Sequence, residues 1–146
     1  MQQREIKFRA WSKHEKRMIS WTEIENGSEN TLKENFEQIE KIGFVLLQFT
    51  GLKDKQGKEI YEGDIVCKKN RWLGFDDIWK IEFLNGGFYG KRISFKIHKD
   101  AHRIEIESIV NGEFKIGNYS MCHIGGKNTK IIGNVFENKE LLKKKG

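Results

Sequence analysis

The chain has 146 residues, 37% hydrophobic and 33% charged, a length and balance that fit one soluble domain and exclude a disordered chain. Such a length buries enough apolar surface to fold without disulfides, and no stretch approaches the ~20 apolar residues of a membrane-spanning helix. The net charge of +6 comes from 27 basic residues scattered among 21 acidic ones, so the excess is expected mainly to solubilise the surface. Met1-Gln2-Gln3-Arg4-Glu5 lacks the apolar core of an export signal, which leads us to expect a cytoplasmic protein with Cys67 and Cys122 reduced.

The chain has no proline and 15 glycines, so its turns must rest on Gly and Asn chemistry. In Glu5-Ile6-Lys7-Phe8-Arg9-Ala10-Trp11, alternation places Ile6, Phe8 and Ala10 on one face of a half-buried strand. A polar turn leads to a second strand, Arg17-Met18-Ile19-Ser20-Trp21, giving a hairpin. Thr31 and Glu34 form a capping-box pattern ahead of Leu32, Phe36, Ile39 and Ile42 at helical spacing, with Gly43 as the left-handed end. Phe44-Val45-Leu46-Leu47-Gln48-Phe49 is continuous enough for a strand in the middle of a sheet.

Short strands joined by Gly turns follow. Asp54-Lys55-Gln56-Gly57 has the type I turn pattern, and Glu62-Gly63-Asp64 is a second bend before a strand at Ile65-Val66-Cys67. Ile78-Trp79-Lys80-Ile81-Glu82-Phe83 alternates, with Asn85-Gly86 as a hairpin turn after it. Asn111-Gly112 repeats that device between Ile104-Glu105-Ile106 and Phe114-Lys115-Ile116. A last strand spans residues 130–136, and Asn138 is expected to cap a short helix holding Leu141 and Leu142. This pattern predicts a small barrel with Ile65, Trp79, Ile81, Phe83 and Ile132 inward. The fold expected is α+β, mainly β. Residues 1–50 form an N-terminal β-β-α-β layer, and residues 51–146 form a small SH3-like β-barrel with a short C-terminal helix, the two packing as one domain.

Three segments carry a family resemblance. They are Arg4-Glu5-Ile6-Lys7-Phe8-Arg9-Ala10-Trp11, the run from Gln48 to Asp54 with Gly57-Lys58-Glu59-Ile60-Tyr61-Glu62-Gly63-Asp64-Ile65-Val66, and Ile132-Gly133-Asn134-Val135-Phe136-Glu137-Asn138. In order and spacing they resemble the YopX family of phage and prophage proteins over nearly the whole chain. The chain departs at Lys139, where that family often has a proline at the first helical position. The resemblance implies an α+β N-terminal part on a small barrel and phage or prophage origin. It implies no catalytic residue.

The residues themselves point away from catalysis. A Gly-x-Gly-x-x-Gly pattern and a phosphate-binding loop ending in Gly-Lys-Ser/Thr are both missing, and Gly125-Gly126-Lys127 fits a β-turn better. Asp76-Asp77 fits a solvated turn. Cys67, His98, His102, Cys122 and His123 lack the close paired spacing of a structural zinc site, so neither a metal nor any other cofactor is expected. Cys67 sits mid-strand as a small hydrophobe. The chain is expected not to be an enzyme.

The strongest binding candidate is residues 68–77, where Lys68, Lys69 and Arg71 accompany Trp72 and Phe75 on a loop with no clear strand or helix period. The competing reading folds Trp72 and Phe75 over one barrel end. The expected partner is a host or phage protein, or a second copy of the chain. Nucleic acid is the alternative, through this loop and the basic turn around Lys13 and Arg17. No membrane partner is expected.

Overall fold

A computed structural model describes residues 5–26, 39, 41–70, 75–97, 118–120, 126 and 128–143. The chain is mainly β, in two antiparallel sheets. The first has the order β2-β1-β3-β4 and contains β1 (Phe8–Ser12), β2 (Arg17–Ile19), β3 (Phe44–Lys53) and β4 (Glu59–Tyr61). The second has the order β8-β7-β6-β5-β9. Its strands are β5 (Asp64–Asn70), β6 (Phe75–Leu84), β7 (Gly87–Ile97), β8 (Asn118–Ser120) and β9 (Thr129–Asn134). A short helix α1 (Trp21–Asn26) follows β2, and a 3-10 turn (Lys139–Leu142) follows β9.

The apolar run from Phe44 lies centrally, between β1 and β4, and β3 continues to Lys53 through an irregularity between Phe49 and Lys53, where Gly51 has φ 84°. One face of the first sheet carries Ala10 and Ile19 against Ile24 of α1 and Ile39, with Trp21, Phe44 and Leu46 around them. A second core joins both sheets. Ile60 of β4 packs with Val66, Trp79 and Ile81, and Leu52, Phe88 and Ile131 close round them from β3, β7 and β9. Burying these side chains is the main favourable term, at ~1.5–3 kcal/mol for each large aliphatic group.

Trp21 does not end the second strand as the apolar pattern suggested; it begins α1. The cause is a capping box at Ser20. Its hydroxyl accepts from the Glu23 amide at 3.2 Å, while the Glu23 carboxylate accepts from the Ser20 amide at 2.8 Å. Most of the helix expected between Thr31 and Ile42 lies outside the described residues. At its expected end Gly43 has φ 88°, and the Phe44 amide reaches back to the Ile39 carbonyl at 3.0 Å, the bond of a left-handed helix end. The second Asn-Gly hairpin, at Asn111-Gly112, also lies outside the described residues.

Ile65, Trp79 and Ile81 are buried, but Phe83 and Ile132 face outward, 47% and 36% exposed. Phe83 sits near the hairpin tip, past the end of the core, and packs edge-on against Phe88. Ile132 is displaced by a bulge: Ile65 pairs with Gly133 and Val66 with Ile131, so the residue between them has no opposite number. Asn85 and Gly86, at φ 51° and 80°, form the expected hairpin turn.

The closing motif is a turn device. Asn138 does not cap the helix after it, because its Oδ1 accepts from the Asn134 amide instead, at 3.1 Å. Asn134 Oδ1 in turn accepts from the amides of Phe136 and Glu137. Gly133 leaves room for this; a Cβ there would meet Asn138 Oδ1 at 2.4 Å. Gly133→Ala should therefore displace Asn138 and lower stability by about 1 kcal/mol, one lost hydrogen bond, as read by urea unfolding.

Hydrogen bonds from Ser20, then the Arg17 guanidinium, hold the Glu23 carboxyl at about 2, below its usual value. A depressed folded value means that this support exists above the ordinary glutamate range and is lost as pH falls towards 2. Glu23→Gln should accordingly lower the Tm at neutral pH, with the gap to wild type closing between about pH 4.5 and pH 2.

Candidate functional site

The second sheet recasts residues 68–77. Residues 68–70 and 75–77 are strand rather than irregular loop. Lys68 and Lys69 belong to β5 and pair with Asp77 and Asp76 of β6, while Asn70 pairs with Phe75. Arg71 and Trp72 lie outside the described residues, as does the side chain of Phe75. Because successive side chains in a strand point to opposite faces, Lys68 and Lys69 cannot share one surface. Each cation also stands directly opposite a carboxylate.

Asp76-Asp77 is strand rather than solvated turn. Asp77 is buried and bonds the guanidinium of Arg92, which lies 5.9 Å from the centre of the Trp79 ring. Burial pushes the Asp77 carboxyl up, and Arg92 works against that rise. Cys67, half-buried beside this pair, also has its thiol pushed up, first by burial and then by Asp76. A thiol held protonated is a poor nucleophile. Cys122, His98, His102 and His123 lie outside the described residues; among those described, no group of three or more His, Cys, Asp or Glu converges as a ligand set.

A feature that strand patterns did not single out lies on the first sheet. A groove of about 500 Å³ lies on this sheet, with Trp21 and Thr22 at the start of α1 in its lining. Arg9 of β1 and Lys7 just before it lie along it, with Met18 at the β2 side and Tyr61 and Lys58 at the β4 side. Lys7 Nζ bonds Glu59 Oε1 at 2.6 Å, and the Tyr61 hydroxyl donates to the same carboxylate at 2.8 Å. Burial first, then Glu59, pushes the Tyr61 hydroxyl up. Arg9 donates to Asp64 Oδ1 at 2.7 Å, and its guanidinium lies 4.9 Å from the centre of the Tyr61 ring. Both partners of that ion pair fall within the segments singled out for their family resemblance; the sequence could not show that they touch.

A family model described as YopX protein matches residues 7–143. The chain belongs to the YopX family. The YopX fold seen here is similar to the crystal structure of protein EF1440 from Enterococcus faecalis, at 24% identity and a TM-score of 0.56 over 97% of this chain and 100% of that one. At that identity the likeness speaks for fold alone. No curated protein matches the chain. Among the described residues of this YopX chain, no helix is long and apolar enough to cross a membrane.

The Asp77–Arg92 pair props the hairpin from within, with side chains only 10% and 11% exposed. Arg92→Ala should leave a buried charge unpaired and cost about 3 kcal/mol or more, whereas Asp77→Asn with Arg92→Gln together should cost less. Thermal or urea unfolding of the two variants checks that order.

Proposed function

We propose that this YopX chain is a non-catalytic protein-interaction module, encoded by a phage or prophage and working in the cytoplasm of its bacterial host. Its partner is a host or phage protein, or a second copy of the chain. The observation that carries this reading is the register of the 68–77 hairpin. Lys68 and Lys69 point to opposite faces, each across from an aspartate. Phosphate backbones are bound by several unpaired cations on one surface, and this ladder offers none in that arrangement. Strands whose lysines stand across from aspartates, with Trp72 between them in sequence, suit a protein pocket better. In the same reading β3 and β4 close over the second sheet as a small SH3-like barrel, supported by the core they share with it.

Trp72 is the proposed anchor. Trp72→Ala should weaken partner capture by about thirtyfold, the ~2 kcal/mol of a true anchor, and leave the Tm unchanged. Affinity purification of the full chain at low and high salt, repeated with the variant and paired with melting curves, tests this. A fall in Tm with capture unchanged in the folded fraction would make the tip structural. Binding to nucleic acid that weakens steeply with salt would favour the alternative reading.

A further inference from the structure

The groove on the first sheet has a shape, a charge and a fixed geometry that together describe a ligand. We propose that it docks an extended acidic peptide segment of a partner protein, a second contact surface apart from the 68–77 hairpin. This rests on the interaction-module reading and adds the chemistry of what is bound.

The groove runs from Met18 on β2 past Lys7 and Arg9 to Lys58 beside β4, three strand positions away in the sheet order. Three inter-strand spacings make about 14 Å, the length of roughly four extended residues. Its lining holds three cations, Lys7, Arg9 and Lys58, against the one carboxylate of Glu59. That carboxylate is already held by Lys7 and the Tyr61 hydroxyl. Asp64, which balances Arg9, has a side chain only 2% exposed, so its charge is withdrawn beneath the surface. Lys58 is exposed and forms no ion pair among the described residues. A negative side chain placed near Lys58 therefore meets a cation with no salt bridge of its own, which only Asp54 and Asp64 influence, at longer range.

Apolar surface alternates with this charge. Met18 and Trp21 offer seats for an apolar side chain beside the cations. The groove is also built in advance. Arg9 is fixed by Asp64 and the Glu62 carbonyl, Lys7 by Glu5 and Glu59, and side chains already held lose little freedom when a ligand arrives. Nucleic acid fits less well, because only Lys58 is unpaired and few counterions would be released.

The test uses the full chain and three fluorescein-labelled probes: a short peptide alternating glutamate and phenylalanine, its lysine–phenylalanine counterpart, and an oligothymidylate. Anisotropy should show the acidic peptide binding and the basic one not. Lys58→Glu should weaken that binding about fivefold or more, as expected for losing and reversing a contact charge. Lys91→Glu is the control, because Lys91 is exposed on the other sheet and changes net charge equally. It should change the affinity less than about twofold. Chemical-shift changes on adding the acidic peptide should map to Met18, Thr22 and Tyr61.

Equal loss in the two variants would mean attraction to net charge alone, and would overturn the proposal. So would tighter binding of the oligothymidylate at the same residues, or no binding of the acidic peptide. A chain that captures a partner through Trp72 yet ignores the acidic peptide would lose this inference and keep the function proposed above.

Discussion

The buried carboxylate of Asp64 is the constraint on which the rest of this fold depends. Its two oxygens accept from Arg9 Nη2 and from the Tyr61 amide, so one residue ties β1 to the turn between β4 and β5. That turn then holds the sheets together. The Gly63 amide donates to the Ile81 carbonyl at 2.9 Å, and the Gly63 carbonyl accepts from the Val135 amide at 2.9 Å. Gly63 sits at φ 78° with Val135, Phe136 and Leu47 packed against it. Burial pushes the Asp64 carboxyl up while Arg9 opposes the rise, so the charge is tolerable only because its partner is there.

A second polar clamp works at the other end of the same interface. Asp54 Oδ1 accepts from the Gln56 and Lys58 amides, which closes the turn, and Oδ2 accepts from the Ile131 amide of β9. Burial works against the charge, but these amides outweigh it and hold the carboxyl below its usual value. Asp54 and Asp64 bracket β4, which is only three residues long. A strand that short has few ladder bonds of its own, and it is positioned by the two aspartates at its ends.

The same economy shapes the candidate surfaces. In the hairpin, Lys68 and Lys69 each stand opposite an aspartate, which tempers the field of its strands. In the groove, Glu59 takes two hydrogen bonds while Asp64 lies beneath the surface, which holds Lys7 and Arg9 in place and leaves Lys58 as the exposed cation. Basic composition alone, spread over the chain, distinguishes neither surface. Their difference comes from which carboxylate stands next to each cation.

Local chemistry was legible wherever it needed only neighbours in sequence. Asp54 with Gly57, and Asn85 with Gly86, specify their turns through side-chain acceptors and positive φ, so four residues suffice. The central strand at Phe44 and the buried trio Ile65, Trp79 and Ile81 followed from hydrophobic pattern, and the YopX segments from order and spacing. The box at Ser20 and Glu23 was equally readable, but the apolar pattern through Trp21 masked it. Register was decided only by tertiary structure. A single bulge turned Ile132 outward, and the pairing of β5 with β6 placed Lys68 and Lys69 beside aspartates on opposite faces. The groove belongs to the same class, since Lys7 meets Glu59 across 52 residues and Arg9 meets Asp64 across 55. Periodicity records which face a side chain takes within its own strand, and it carries no information on which strand lies alongside.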